Sequence, residues 1–253
     1  MKRMQERRRS MKEKMNKIPV FYACDDNFVK YTMVSLQSMM DHASKEAQYE
    51  IHVLHTNISE EMQKKMHAME NANFSVQFDH VTEYLHSIQE KLPLRDYYSK
   101  TTYFRLFIAE MFPEIDKAIY IDSDTVVLGD IAQLYAYDLG DAYVGACREQ
   151  VMIQEEVYGT YVEKVLGVER DNYFNAGMLV INCEQFRKNH VLEQFMELLP
   201  MYNFVVTQDE DYLNLICHNK VCWLPQKWNV EVFGQIPCRE EEICVLHYIM
   251  VSK

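Results

Sequence analysis

Acidic side chains follow an apolar, strand-like run near the middle of the chain. Asp122 and Asp124, separated by one serine, come directly after residues 117–121 (KAIYI). Ligands of open α/β sheets bind at the carboxyl ends of strands, and the side chains at i and i+2 of an extended chain point the same way. The two carboxylates could therefore share one divalent cation whose free positions take phosphate oxygens. A second Asp-x-Asp lies at Asp209–Asp211, so the pattern alone fits a turn or helix cap equally well.

Two further residues have both a structural and a chemical interpretation. His247 lies in the apolar run ICVLHYIMV, where a histidine is more often a hydrogen-bonded core residue than a metal ligand. Asp25 follows a predicted strand and could bind a nucleotide's base or ribose, or cap the next helix. Neither G-x-x-x-x-G-K-[ST] nor G-x-G-x-x-G occurs in the sequence. Any phosphate site must therefore take its positive charge from elsewhere.

The charge of the chain is divided unevenly. The net charge of the 253 residues is −12, which argues against a nucleic-acid binder, since such proteins carry surplus Lys and Arg. Residues 1–17 have a net charge of +6, and the remaining residues have −18. We favour a solvated basic helix for residues 1–17, with contact to an anionic membrane surface as the alternative.

The sequence favours a cytoplasmic protein. No apolar run approaches the ~18 residues of a membrane span, and residues 1–17 lack the apolar core of a secretory signal. The seven cysteines form no C-x-x-C pair, which predicts reduced, mostly buried thiols. The cytoplasmic location includes peripheral contact at the inner face of a membrane as an option.

The hydrophobic pattern predicts one α/β domain over residues 18–253, after the basic segment. Apolar strands alternate with helices, which is typical of a mainly parallel sheet. The predicted strands are Ile18–Ala23, Tyr49–Leu54, Phe74–Phe78, Lys117–Ile121, Ala142–Cys147, Phe174–Asn182, Val221–Leu224 and Ile243–Tyr248. The predicted helices are Phe28–Met40, one capped by Ser59 with Met62, Met66 and Met69 on one face, Thr101–Met111 and Gln208–Cys217.

Short segments occur in an order that resembles one enzyme family. They are FYACDDN (21–27), TTYFRL (101–106), YIDSDTVV (120–127), FNAGMLVIN (174–182), QDED (208–211) and HYIMVSK (247–253). With these segments the chain resembles the retaining glycosyltransferases of family 8, a GT-A-fold group that includes bacterial lipopolysaccharide galactosyl- and glucosyltransferases and glycogenin. The resemblance extends from residue 18 to residue 253.

The resemblance implies a UDP-sugar donor, UDP-glucose or UDP-galactose, and a hydroxyl acceptor on a glycan, glycolipid or glycoprotein. It implies a metal, usually Mn²⁺ with Mg²⁺ as the alternative, bound by Asp122, Asp124 and His247. A mixed oxygen and imidazole set suits Mn²⁺. The other matched donor-binding positions are Ala23, Asp25 and Asn27 at uracil and ribose, Arg105 and Lys253 at the diphosphate, and Asn175 and Asp209 at the sugar hydroxyls.

Two positions depart from the family pattern. Many relatives carry Q-D-Q-D where this chain has Glu210 beside Asp209, and these two residues are the catalytic candidates. Glu210 could be a nucleophile or an electrostatic stabiliser of an oxocarbenium-like state. We favour the stabiliser, because amide-bearing relatives have no carboxylate there. Glu149 stands where relatives often place Asp, which leaves the identity of the hexose open.

Two other functions stay open at this stage. A nucleotidyltransferase also uses aspartate-bound metals, but it would release pyrophosphate instead of UDP. A non-catalytic nucleotide-sugar-binding subunit would bind the donor without turnover. Acceptor contacts are expected from residues 150–172, but the sequence of this segment does not indicate which acceptor binds.

Overall fold

The computed structural model describes residues 17–88, 101–204 and 206–249. In this part of the chain ten strands form two sheets. In chain order they are β1 (Lys17–Ala23), β2 (Gln48–His55), β3 (Phe74–His80), β4 (Lys117–Ile121), β5 (Thr125–Val127), β6 (Val144–Arg148), β7 (Phe174–Asn182), β8 (Val221–Trp223), β9 (Val230–Glu231) and β10 (Val245–His247).

Helices cover both faces of the larger sheet. In chain order they are α1 (Val29–His42), α2 (Glu60–His67), α3 (Val81–Ile88), α4 (Ile108–Met111), α5 (Ile131–Tyr135), α6 (Gln150–Gln154), α7 (Glu156–Tyr161), α8 (Cys183–Lys188), α9 (Val191–Leu198) and α10 (Asp209–Cys217). A π-helical turn spans Val162–Leu166, and 3₁₀ turns span Thr101–Leu106, Arg170–Asn172, Gln226–Trp228 and Glu240–Glu242. Among the described helices, none is long and apolar enough to cross a bilayer.

The larger sheet is mainly parallel, as the sequence predicts. Its order is β3-β2-β1-β4-β7-β6-β8, and four pairings are parallel: β3 with β2, β2 with β1, β1 with β4, and β6 with β8. Alternate residues of β1 supply the two core layers, because successive side chains of a strand point to opposite faces. Phe21 packs in one layer, and Val20 and Tyr22 pack in the other.

Strand β7 is the exception, since it runs antiparallel to both β4 and β6. Its first residues therefore lie at the carboxyl end of β4, the edge where ligands bind. Ile121 of β4 pairs with Met178 of β7, and one residue further along, the Asp122 amide donates to the Gly177 carbonyl at 2.7 Å. Residues of β7 thus border the Asp122 turn directly.

The small sheet, in the order β5-β10-β9, brings the end of the described chain to the same place. β5 follows the Asp124 turn and pairs antiparallel with β10, with Thr125 opposite His247. The Tyr248 amide donates to the Asp124 carbonyl at 2.9 Å. This pairing places residues more than 120 positions apart in the sequence side by side.

All eight predicted strands and the helices α1, α2 and α10 are present, and their ends differ from the predicted ones by at most two residues. Met66 is buried, and Met62 and Met69 pack against the same core layer, as predicted. Ser59 occupies the N-cap position of α2, but its side chain makes no capping hydrogen bond. Its backbone amide instead donates to Asp26 at 2.8 Å.

The single helix predicted over Thr101–Met111 is wrong. The segment is a 3₁₀ turn followed by the one-turn helix α4. Consecutive residues Tyr103 to Ala109 are all buried, so the segment lies inside the core with no solvent face. An amphipathic helix needs such a face. Of residues 1–17, only Lys17 is described; it begins β1 and lies 3.2 Å from Glu50, and the predicted basic helix lies outside the described residues.

Candidate active site

A cavity of about 520 Å³ opens at the carboxyl end of β4, beside the first residues of β7 and the N-terminus of α10. Its walls are strongly acidic. They include Asp122, Asp124, Glu149, Asp209 and Glu210, together with Arg105, Asn175, Gly177 and His247. A more apolar part of the wall is formed by Val151, Met152, Tyr158, Val206 and Ile249.

Three residues converge at the floor of the cavity. One ligand atom each from Asp122, Asp124 and His247 lies within 4.8 Å of the other two. The His247 Nε2 atom lies 3.4 Å from an Asp124 oxygen and 3.8 Å from an Asp122 oxygen. His247 is buried, while both aspartates keep part of their surface exposed. Two carboxylates and one imidazole nitrogen, open on one side, make a donor set that fits a divalent transition metal.

Gly177 allows these ligands to meet. A Cβ atom on Gly177 would overlap the His247 imidazole ring and lie 2.7 Å from an Asp122 oxygen. Any side chain here would therefore push two of the three ligands apart. The sequence shows this glycine only as part of FNAG, and nothing in the pattern indicates what it faces.

Buried hydroxyl groups support the Asp122–Asp124 turn from below. The Ser123 hydroxyl lies 2.8 Å from the Thr32 hydroxyl of α1. The Thr125 hydroxyl donates to the Asp122 carbonyl at 2.9 Å and lies 2.8 Å from the Ser35 hydroxyl. Because these partners are buried and satisfied, the turn is held in one conformation.

Arg105 joins the strands and α10 from within the core. Its guanidinium lies 3.1 Å from an Asp122 oxygen and 3.0 Å from an Asp209 oxygen. It also donates to the Ala176 carbonyl of β7, and it stacks on the Tyr120 ring at 4.3 Å. Burial alone would lower the Arg105 pKa, but Asp122 and Asp209 raise it. Among the described residues, Arg105 is the only buried Lys or Arg.

The N-terminus of α10 is pinned to β7 and carries the catalytic candidates. Asp211 accepts from Tyr161 and Tyr173, each at 2.8 Å. The Asn214 side chain accepts from the Phe174 amide and donates to the Phe174 carbonyl, both at 2.8 Å. Gln208, just before the helix, has φ +55°, and such a conformation costs roughly 1–3 kcal/mol in a non-glycine residue.

Asp209 and Glu210 are both buried at this helix end. Burial raises the pKa of Asp209 to about 6, while Arg105 opposes the shift. Among the described residues, none donates a hydrogen bond to the Asp209 Oδ2 atom, which lies 3.0 Å from the Arg105 guanidinium. Glu210 accepts from the Ala176 amide at 2.6 Å. Burial and the neighbouring Glu149 raise its pKa well above the ordinary range.

Glu149 and Glu231 form a second buried acidic pair. Glu149 caps α6 by accepting from the Met152 amide at 2.6 Å, and both Glu231 oxygens lie 3.1 Å from the Gln150 amide nitrogen. Burial raises the pKa of Glu149, and burial together with the neighbouring Glu149 raises the pKa of Glu231 well above its usual range. Glu231 belongs to no motif that sequence reasoning could have used.

The structure brings together most of the residues singled out in the sequence. Arg105, Asp122, Asp124, Glu149, Asn175, Asp209, Glu210 and His247 all line the one cavity. Ala23, Asp25 and Asn27 do not line it. Asp25 accepts from the Asn27 and Phe28 amides at 2.9 and 3.0 Å, in the turn just before α1, whose N-cap residue is Phe28. Lys253 lies outside the described residues.

The fold is of the GT-A type, and comparison with known proteins gives the family. Residues 19–253 match the model of glycosyl transferase family 8. The chain belongs to this family. It is 30% identical over 237 residues to a glycosyltransferase-like protein of Haemophilus influenzae, covering 92% of this chain and 69% of that protein.

Two further relatives have named activities. A lipopolysaccharide 1,2-glucosyltransferase of Escherichia coli K12 is 26% identical over 141 residues, which is 54% of this chain and 40% of that enzyme. The crystal structure of the galactosyltransferase LgtC with donor and acceptor sugar analogues has a TM-score of 0.71 at 25% identity. The match covers 92% of this chain and 87% of LgtC.

Replacing Gly177 with alanine tests the packing of the acidic cluster. We expect Gly177→Ala to weaken Mn²⁺ binding at least about 10-fold, the cost typical of a disturbed ligand orientation. The new methyl group would overlap His247 and crowd Asp122. Mn²⁺ titration followed by electron paramagnetic resonance measures the affinity.

Gly140→Ala is the matched control. Gly140 has φ +51° and no atom within 4 Å of an added Cβ, so this variant should lose about 1 kcal/mol of stability and keep its Mn²⁺ affinity. Unchanged Mn²⁺ binding in Gly177→Ala would remove the cluster from consideration as the metal site.

The buried acidic pair predicts a pH-dependent stability difference. Because the Glu231 pKa is raised in the folded protein, its stabilising contribution is complete below the unfolded pKa near ~4.5. That contribution is lost as the pH rises through the folded pKa. Glu231→Gln imitates the protonated group at every pH. In metal-free protein, denaturant unfolding should show wild type losing stability relative to Glu231→Gln as the pH rises above about 4.5. A stability difference that stays constant as the pH rises would contradict a raised Glu231 pKa.

Proposed function

We propose that this chain is a metal-dependent retaining hexosyltransferase. It transfers glucose or galactose from a UDP-sugar to a hydroxyl group of a glycan, glycolipid or glycoprotein. The single observation that carries the proposal is the Asp122, Asp124 and His247 cluster on the floor of a cavity whose other wall holds Asp209 and Glu210. A nucleotidyltransferase would not need that second acidic wall, whereas the hydroxyl groups of a sugar ring could bind to it.

The charge of the cavity supports a bound cation. Five carboxyl groups line it, and Arg105 is already engaged by two of them. An anionic donor would be repelled from such a site without further positive charge. Asp122, Asp124 and His247 would hold Mn²⁺, with Mg²⁺ as the alternative. When bound, the ion supplies Lewis-acid stabilisation of the charge on the departing diphosphate.

The nucleotide end of the donor would lie at the same end of the sheet. Phe21 of β1 pairs with Tyr120 of β4, so Ala23 at the end of β1 and Asp122 just after β4 stand at neighbouring positions. Ala23, Asp25 and Asn27 are proposed to hold uracil and ribose there. Lys253 and Arg105 are proposed to act at the diphosphate, with Arg105 doing so mainly by fixing Asp122.

The sugar would lie against β7 and α10. The Asn175 side chain and Asp209 are proposed to hydrogen-bond its hydroxyl groups, as a buried amide and carboxylate at a cavity wall can. Glu210 is proposed to stabilise positive charge at the anomeric carbon. The Ala176 amide donates to one of its oxygens, which holds the carboxyl group in place beside the cavity.

For the hexose and the acceptor, the proposal rests on the named activities of the relatives. One relative is named for glucose transfer to lipopolysaccharide and another is a galactosyltransferase, so both sugars stay within the proposal. A surface glycan or glycolipid is the acceptor class we propose. For the basic residues 1–17 we propose contact with an anionic membrane face in the cytoplasm, since +6 charges attract acidic lipids.

The first test identifies the nucleotide that the protein releases. With Mn²⁺ and a panel of nucleotide sugars, we expect slow hydrolysis of UDP-glucose or UDP-galactose with release of UDP. Asp124→Asn should lose Mn²⁺-dependent UDP binding, because it removes one anionic ligand from a three-ligand set. Calorimetry measures the binding, and chromatography identifies the nucleotide.

Asp41→Asn is the control for the charge change, because Asp41 is exposed and bonds only Gln37 in its own helix. It should behave as wild type. Pyrophosphate as the product would favour a nucleotidyltransferase. Tight UDP-sugar binding without turnover, even with acceptors, would instead favour a non-catalytic subunit.

A second test separates the two roles of Glu210. Glu210→Gln keeps the shape and the acceptor for the Ala176 amide, so as a stabiliser it should retain turnover within about 100-fold of wild type. No sugar should become attached to the wild-type protein in rapid-quench mass spectrometry. A hexose adduct on Glu210 that disappears in the variant would establish the nucleophile instead.

A further inference from the structure

A chain of buried hydrogen bonds runs from the backbone of β7 to the back of His247. The Gly177 amide donates to Asn175 Oδ1 at 2.9 Å. The Asn229 side chain lies 2.8 Å from the same Asn175 oxygen, and its other end lies 3.2 Å from His247 Nδ1. Asn229 is fully buried. It does not line the cavity, and it belongs to no sequence motif described above.

The first bond determines the direction of all the others. A backbone amide can only donate, so the Asn175 atom that it meets must be the carbonyl oxygen. The Asn229 atom facing that oxygen must then be its NH₂ group. The Asn229 oxygen consequently faces His247 Nδ1, which must carry a hydrogen to bond it. These assignments follow from bonding capacity alone and need no choice between amide flips.

These assignments have consequences for two residues that line the cavity, His247 and Asn175. In neutral His247, a hydrogen on Nδ1 leaves the lone pair on Nε2, the atom that faces Asp122 and Asp124. At Asn175, two donors already occupy Oδ1, so the group with bonding capacity left is its NH₂. A ligand in the cavity would meet Asn175 as a hydrogen-bond donor.

We propose that Asn229 is a positioning residue that fixes the Nδ1–H tautomer of His247 and the NH₂-outward orientation of Asn175. One buried amide thereby prepares a metal ligand and a sugar contact together. The tautomer does not depend on any activity, whereas the consequences for metal and sugar rest on the function proposed above.

The direct test is the tautomer of His247 in metal-free protein. Long-range ¹H–¹⁵N correlation spectra at about pH 8.5, above the ordinary imidazole pKa, distinguish the two ring nitrogens. His247→Gln identifies the signal among the nine histidines. Wild type should show Nδ1–H. In Asn229→Ala the acceptor is gone, and the nearby Asp124 oxygen should draw the hydrogen to Nε2.

Metal affinity gives a second readout. With Mn²⁺ alone as the probe, Asn229→Ala should bind roughly 10–100-fold more weakly than wild type, as expected for loss of a histidine's outer partner. Asn229→Asp should keep the Nδ1–H tautomer and the Mn²⁺ affinity, because a carboxylate also accepts from Nδ1. It cannot donate to Asn175, so it should selectively weaken binding of a UDP-sugar relative to UDP.

Asn73→Ala is the matched control, since Asn73 donates to the Lys45 and Ala47 carbonyls far from the cavity. It should reduce stability and leave the His247 signal unchanged. An Nε2–H tautomer in the wild type overturns the inference without any variant. So does an Asn229→Ala protein that keeps Nδ1–H. A wild type with Nδ1–H that binds no Mn²⁺ would support the positioning role and count against the metal-dependent function.

Discussion

The structure around the cavity depends on one buried guanidinium. Arg105 contacts Asp122 after β4, Asp209 at the start of α10 and the Ala176 carbonyl of β7. These three elements each end or begin at the cavity, and no other described Lys or Arg is buried. Removing Arg105 would leave the buried Asp209 carboxylate without its cationic partner, a loss that typically costs about 3–5 kcal/mol. Arg105 is therefore needed for the site to fold.

The same arithmetic of charge explains why the site suits a metal. One guanidinium cannot balance Asp122, Asp124, Asp209, Glu210 and Glu149, and burial disfavours the charged form of two of them. Burial raises the pKa of Asp209 to about 6 and raises the pKa of Glu210 well above its ordinary range. Asp122 and Asp124 keep more contact with solvent and lie beside His247, where a cation could bind.

The sequence could predict elements and segments, but not the contacts that cross between them. Strands such as Lys117–Ile121 and Phe174–Asn182 match their predicted ends, because continuous apolar runs with turn signals on both sides define them. The single helix predicted over Thr101–Met111 was wrong. A segment that is buried on all sides does not show the alternation of apolar and polar residues that marks a surface helix. Gly177, Asn229 and Glu231 act through geometry formed only when β7, β9 and β10 meet, and no local pattern encodes that meeting.

The reversed direction of β7 unites these observations. In a fully parallel sheet the ligand edge receives only strand ends and the loops after them. Because β7 runs the other way, its opening residues reach that edge within regular, paired backbone. Asn175, Ala176 and Gly177 then serve different partners in succession: Asn229, Glu210 and the Asp122 turn. A strand is stiffer than a loop, so groups that must be held to fractions of an ångström gain precision from it. Antiparallel insertion is thus the topological feature that lets one motif organise the Asp122 side and the α10 side of the cavity together.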